Sequence, residues 1–510
     1  MSVRVVSTPL RGTLLTEPAI SGVGVSEWYV RRPSGAREWT RRGEEMRASL
    51  VGRDWLSAIA PAMSATGVAA QRLERAAESG FAVTTGQQPG LFGGPLYTWW
   101  KALSALALAD HLESLTGRAI VPIFWAGTDD SDFLEAASTA VALHDHAFRI
   151  GIDTLPETGS TLSEMPLGDV SEQLAQLASA SGSAPHAGIL DIVRRAYSPA
   201  QTLGGAYLSL LRSILSPLGI AVVDASHPAT KAAALPVVRD ALRLATAVES
   251  ALESRTAELT SAGHSVQVRQ VKGRSLVFRE KDGNRNRVTT RAADAAATAT
   301  DLRNLGPNVL LRPIVERSII PTVAYVGGPA EIAYFAQISA VAEALDTPVP
   351  LVVPRWAGMV VEPRIDRILE KHGLSIDDLR DPHAATTKMA RASLPPELRS
   401  SLDNIRESIQ SAADAIVAAE GSGLVPSRVV QGLRHNVARQ IDRLERRYAA
   451  AVKRRGNADL TDVASARAAL FPLDAVQERS LNIVPLLARH GETLIHEVMR
   501  EIEPHAIALA

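Results

Sequence analysis

The chain has 510 residues, 46% of them hydrophobic and 21% charged, with a formal net charge of −1 and no cysteine. Such a composition belongs to a soluble globular protein large enough for several domains, and it excludes disulfides, thiolate metal sites and a cysteine nucleophile. The balanced charge without a long basic run argues against nucleic acid as a partner. With no signal-like start and no run near 18 apolar residues, the expectation is a cytoplasmic protein that engages no membrane.

Residues 1–80 read as a Gly/Pro-bearing start followed by helical text from Glu38 to Glu78, with Trp39, Leu50, Trp55, Leu56 and Ile59 as a packing face. The run Phe81-Ala-Val83 then leads into Thr84–Lys101, a strand-to-helix junction with glycines at 86, 90, 93 and 94. Glycines let the backbone approach a ligand, and Pro95 suits a first helical turn. Thr85, Gly86, Gln87, Gln88, Gly90, Gly93 and Gly94 are therefore candidate ligand contacts through backbone N–H groups at the positive end of the helix. Lys101, about one turn further on the side of Tyr97 and Thr98, is placed to reach the same anion. A merely structural glycine-rich turn is the alternative, and the spacing fits neither the P-loop nor the dinucleotide fingerprint.

Ala119–Trp125 reads as a second strand, so strand, helix and strand form a parallel β-α-β unit. At its carboxyl end stand Asp129, Asp130 and Asp132, where ligands gather in open parallel sheets. They are candidates to hold an amine or a magnesium ion, and helix capping is the alternative for each. His144 and His146 lack a third ligand and read as surface or core histidines. An excursion spans about 149–190. Gly219–Asp224 is a further buried strand, with His227 at its exit as a site candidate. A small insert, about 263–300, carries three short antiparallel strands at Ser265–Gln270, Ser275–Arg279 and Asn286–Thr290, with turns at Lys272-Gly273 and Asp282-Gly283-Asn284.

Pro321–Val326, the loop Gly327-Gly328-Pro329, a helix from Ala330 to Leu345 and a strand at Val349–Val353 repeat the pattern of the first junction, as if two half-sheets faced one crevice. Glu331, Tyr334 and Gln337 share a helix face. Arg312 and Arg355 are candidate anion clamps, with surface salt bridging as the alternative. Apolar residues then step by three and four along Leu402, Ile405, Ile409, Ala413 and Ile416, and again along Val430, Leu433, Val437, Ile441, Leu444 and Tyr448, with a turn at Gly421–Pro426. That is an antiparallel helical coiled coil, a device for assembly. The organisation expected is a core over 1–385, a coiled coil over 386–458, and a segment over 459–510 that returns to the core.

The segments Thr85–Lys101, Asn308-Val-Leu-Leu-Arg-Pro313, Ala324–Gln337 and Val476-Gln-Glu-Arg-Ser-Leu-Asn482 together resemble the BshC family of bacillithiol biosynthesis, in family order and over most of the chain. The resemblance implies a Rossmann-like α/β core of the nucleotidylyl-transferase and class I aminoacyl-tRNA synthetase group. It also implies connecting-peptide inserts and a homodimer through the coiled coil. The implied reaction is ligation of cysteine to glucosaminyl-malate. ATP, giving ADP or AMP, is the expected nucleotide, magnesium an accompanying ion, and no protein-held metal site is assigned. Under this reading Lys101, Asp129, Asp130 and Asp132 carry catalysis. The family motif Glu-Asp-His-Asp-Phe is here Asp129-Asp130-Ser131-Asp132-Phe133, so Ser131 stands at the histidine position. That departure leaves two other readings open: a ligase or nucleotidyltransferase acting on another amine, and a non-catalytic nucleotide-binding dimer.

Overall fold

The computed structural model describes the chain apart from residues 1–2, 24–26, 51–53, 153–159, 282–283, 300–303, 393–394, 420–425 and 456–457. The expected turns at Asp282-Gly283 and at Gly421–Val425 lie outside the described residues. The chain divides into two compact units, one comprising Val5–Val141, Arg149–Met359 and Glu478–Ala510, the other mainly Val360–Gln477.

The first unit is built on five parallel strands: β1 (Phe81–Gln87), β2 (Ile120–Ala126), β3 (Ala221–Asp224), β7 (Thr322–Gly327) and β8 (Val352–Pro354), in the order β8-β7-β1-β2-β3. Strands of a parallel sheet are covered on both faces and need continuous apolar text. Accordingly β2 is buried along its whole length, and β1 along all but its last residue. The chain leaves β1 through helix α1 (Leu96–Thr116) to β2 and through α2 (Leu203–Leu215) to β3. It later returns to the opposite side of β1 as β7, followed by α5 (Pro329–Ala344) and β8. Strand order therefore reverses between β1 and β7, which is where such sheets open a ligand crevice at their carboxyl ends.

Between β3 and β7 lie α3 (Pro228–Arg243), an antiparallel sheet β5-β4-β6 (β4 Arg274–Lys281, β5 Asn284–Thr289, β6 Leu305–Pro307), and α4 (Arg312–Ile319). The segment Ser265–Gln270, expected as a strand, is not one. The side-chain amide of Gln337 takes both backbone groups of Val268, accepting from its N–H at 3.0 Å and donating to its carbonyl at 2.8 Å. The third strand is supplied by β6 instead. His227 caps α3, its Nδ1 accepting from the Ala229 N–H at 3.1 Å.

The second unit is helical. Its α7 (Pro396–Ala419) and α8 (Ser427–Arg455) are the two expected arms, joined by packing of Leu402 and Ile441 with Leu398, Val437 and Tyr448 around them. Arg406 adds ion pairs to Asp442 at 3.2 Å and Glu445 at 2.9 Å. Four of the eleven stripe residues face outward: Ile405, Ile416, Leu433 and Leu444 are between 41% and 50% exposed. Helix α9 (Ala458–Leu470) stays in this unit, and the chain rejoins the sheet-based unit only at Glu478. Among the described residues no helix is long and apolar enough to cross a membrane.

Candidate active site

A cavity of about 620 Å³ opens where β1 and β7 diverge. Its walls come from the end of β1 (Gly86, Gln87 and Gln88), from α1 (Tyr97 and Lys101), and from the loop after β2 (Asp129, Asp130 and Ser131). The loop into α5 adds Gly328, Glu331 and Tyr334, while Arg312, Arg355 and the sheet β5-β4-β6 close the remainder. Six cationic and four acidic side chains line it, an excess that favours an anionic ligand.

Lys101 is 1% exposed and does not project freely into the cavity. Its Nζ donates to the Gly86 carbonyl, to Gln87 Oε1 at 3.2 Å and to Glu331, whose nearer carboxylate oxygen lies 2.7 Å away. Glu331 in turn accepts from the Gly328 N–H at 2.8 Å and from the Tyr325 hydroxyl at 2.6 Å. Arg312 donates to Tyr325 Oη at 3.2 Å and to Glu316 at 3.1 Å. One connected chain of charges thus runs from Glu316 through Arg312, Tyr325 and Glu331 to Lys101. Burial raises Glu331, but Lys101, the Gly328 N–H and Tyr325 together bring it below the ordinary carboxylate range. Glu316, 1% exposed, is pushed by burial up to about 7, against the pull of Arg312.

The glycine-rich loop is held by its own bonds. Gly93 N–H donates to the Gly90 carbonyl at 3.0 Å, Gly94 N–H to Leu91 at 3.1 Å, Leu96 N–H to Leu481 at 2.9 Å and Thr98 N–H to Pro95 at 3.0 Å. Of these N–H groups, those of Gly93 and Gly94, which the sequence offers to an anion, are already engaged. From far along the chain, Asn482 Nδ2 donates to the carbonyls of Leu91, Phe92 and Gly94 at 2.9–3.3 Å. Gly90 and Gly94 pass so closely that a Cβ on Gly90 would lie 2.7 Å from Gly94 Cα.

The acidic loop divides by role. Asp130 accepts from the N–H groups of Ser131 and Asp132 at 2.6 and 2.9 Å and from the Gln88 amide. Asp132 is exposed and caps the short helix after it, accepting from Glu135 N–H at 3.2 Å. Asp129 faces the insert, with one carboxylate oxygen and an Arg285 nitrogen each 3.9 Å from where a Cβ on Gly306 would stand. Burial raises Asp129 above the ordinary carboxylate range, with Arg285 opposing and Asp130 adding. Partial burial and the carboxylates of Asp132 and Asp130 raise Glu135 as well.

The structure brings together at the cavity Gly86, Gln87, Gln88, Tyr97, Lys101, Asp129, Asp130, Arg312, Gly328, Glu331, Tyr334 and Arg355. Arg355 lies there already paired, its guanidinium bidentate on Glu478 at 2.6 and 2.9 Å. Thr85 lies beneath, donating to the Val326 carbonyl at 2.8 Å, and Gly327 and Gln337 serve packing and the insert. Gly90 and Thr98 line a second cavity beside the first. Residues that the sequence reading did not assign to the site include Glu135, Arg285, Arg287, Glu316, Tyr325 and Arg479. The one signal for Arg479 was its place in the motif Val476–Asn482.

Residues 24–356 match the family model "Bacillithiol biosynthesis BshC, N-terminal Rossmann-like domain", and residues 358–508 match "Bacillithiol biosynthesis BshC, C-terminal coiled-coil domain". The chain is 31% identical over 458 residues to a protein of Koribacter versatilis named "Putative cysteine ligase BshC", covering 85% of this chain and 84% of that one. A protein of the same name from Solibacter usitatus is 33% identical over 452 residues, covering 84% of each. One from Salinibacter ruber is 27% identical over 449 residues, covering 82% and 80%.

Proposed function

The chain belongs to the BshC family, and from that premise we propose that it is an ATP-dependent ligase that joins the carboxyl group of L-cysteine to the amine of glucosaminyl-malate. The observation that carries the reading is the cavity at the sheet's switch point, with cations along one part of its wall and Asp129, Asp130 and Glu135 along another. Arg285, Arg287 and Arg312 favour the phosphates of the nucleotide and the cysteine carboxylate. Lys101, fixed against the end of β1, offsets charge that develops as the carboxylate is activated. Asp130 and Asp129 orient the ammonium groups of the substrates.

The acceptor amine attacks the activated carbonyl carbon and a C–N bond forms. The activating phosphate or AMP leaves with the electrons of the broken C–O bond. The proton released by the amine passes to Asp129 or Glu135, both held above the ordinary carboxylate range by burial and neighbouring carboxylates. Among the described residues no group of three His, Asp or Glu side chains is arranged to hold a metal. Magnesium arrives with the nucleotide phosphates in this reading, and no step is assigned to it. The four outward-facing residues of the coiled-coil stripe support a homodimer formed through that hairpin.

Incubation with ATP, magnesium, cysteine and glucosaminyl-malate, followed by mass spectrometry, tests the ligase reading. A cysteinyl amide accompanied by AMP indicates an acyl adenylate, and one accompanied by ADP an acyl phosphate. Ser131 favours a second reading, because it lines the cavity at the position where the family motif carries histidine. In that reading the same chemistry serves another amine. A panel of amino-sugar and amino-acid acceptors decides between them: product from a different acceptor, with none from glucosaminyl-malate, sinks the first.

A further inference from the structure

Beside the main cavity lies a second, of about 300 Å³, and the two share Gln87, Gln88, Tyr97, Glu135 and Arg479. Gln87 Nε2 donates to Tyr97 Oη at 3.2 Å, so this pair forms part of the partition. Two features of the smaller cavity point to an anion. Arg149 and Arg479 both line it, and among the described residues neither makes an ion pair, while Glu135 is the single acidic side chain there. Thr98 also lines it, at the first turn of the 21-residue helix α1. That residue is 1% exposed, and its hydroxyl has no hydrogen-bond partner among the described residues. A buried hydroxyl without a partner is costly, and a carboxylate beside it would accept its hydrogen bond at the positive end of the helix.

We propose that the smaller cavity is the subsite for the carboxylates of the acceptor, with Arg149 and Arg479 as the anion clamp and Thr98 as hydroxyl donor. This rests on the ligase reading for its acceptor, whose malyl end carries two carboxylates. With the acid held there, the amine of the same molecule meets the shared wall beside Gln87 and Glu135. The cysteine and the nucleotide occupy the larger cavity. The acceptor thus spans both cavities, and an amine lacking the acid loses its anchorage rather than its reactivity.

The test is a calorimetric titration of the full-length protein with L-malate, free of any catalytic step. The wild type is expected to bind L-malate. Arg149→Ala and Arg479→Ala are each expected to weaken that binding about tenfold, as loss of one charge-assisted contact does. Thr98→Val, which keeps the shape of the side chain, is expected to weaken it about threefold with a melting temperature no lower than that of the wild type. Absence of malate binding in the wild type, or binding that both arginine variants leave unchanged, overturns the proposal. The same titrations with ATP separate the sources of the anion: a tenfold loss for ATP and none for malate makes this a phosphate site and also overturns it. Because binding is read without turnover, an inactive protein that binds malate in this way sinks the ligase reading alone.

Discussion

The ammonium of Lys101 lies 2.7 Å from a carboxylate oxygen of Glu331, 230 residues further along the chain, and the lysine side chain is 1% exposed. The pair fastens the end of β1 to the start of α5 across the point where strand order reverses. Removing one member leaves the other charge uncompensated in a site of low exposure. Lys101→Ala is expected to lower stability by about 3 kcal/mol and to abolish ligation. The double variant Lys101→Met with Glu331→Leu should recover much of the stability but none of the activity. Urea unfolding and single-turnover product formation check the two halves. A Lys101→Ala protein that ligates at the wild-type rate would rule out the role given to this residue.

Glu316 gives a pH dependence whose sign follows from its surroundings. Its pKa rises from an ordinary 4.5 to about 7 in the folded chain, mainly through burial. The folded state therefore holds this proton more tightly than the unfolded state does. The associated stability is fully present below pH 4.5 and is lost as pH rises through 7, by at most about 3 kcal/mol. Glu316→Gln should remove that slope. Unfolding free energies measured for both proteins from pH 5 to pH 8 should show the wild type falling relative to the variant as pH increases, and parallel curves would count against the assignment.

Gly86→Ala tests the closeness of β1 and β2. A Cβ there would stand 2.6 Å from the Trp125 carbonyl oxygen and 3.0 Å from Trp125 Cβ, and a backbone oxygen in a parallel ladder has little room to move. The expected cost is about 2 kcal/mol from overpacking. A loss of ligation should accompany it, because Lys101 binds the Gly86 carbonyl. Thermal melting and a product assay read both effects.

Deletion of residues 401–454 removes most of both arms of the helical hairpin. A monomer in light scattering is the expected result, and a dimer that survives would place the interface elsewhere.

The strands of the core were legible because each is a short apolar run that ends in glycine, proline or acid, as a strand buried on both faces must. The two junctions at Gly86 and Gly328 were legible for the same reason. Lys101 was found at its proper place on α1, but the sequence could not say that it turns inward, because its partner Glu331 is distant and no local pattern links them. Val266 and Val268 alternate with polar residues, and that pattern read as a strand. Gln337 occupies the backbone of Val268 and so removes the pairing a strand would need. Arg285, Glu316 and Arg479 are single charged residues in unremarkable surroundings. Their roles arise only where the insert, α4 and the returning tail meet the sheet-based unit.

Asn482 holds three carbonyls of the glycine-rich loop that was made almost four hundred residues earlier. On the ribosome, then, β1, α1 and β2 can assemble long before the loop between them has its final support. Between the synthesis of β8, which ends at Pro354, and that of Asn482, the nascent chain carries every strand of the sheet while the loop still lacks this support. A chain halted just before Asn482 should be cut by protease within residues 88–94, where the full-length protein resists. The order of synthesis thus leaves the carbonyls of Leu91, Phe92 and Gly94 without this side chain until Asn482 has been made.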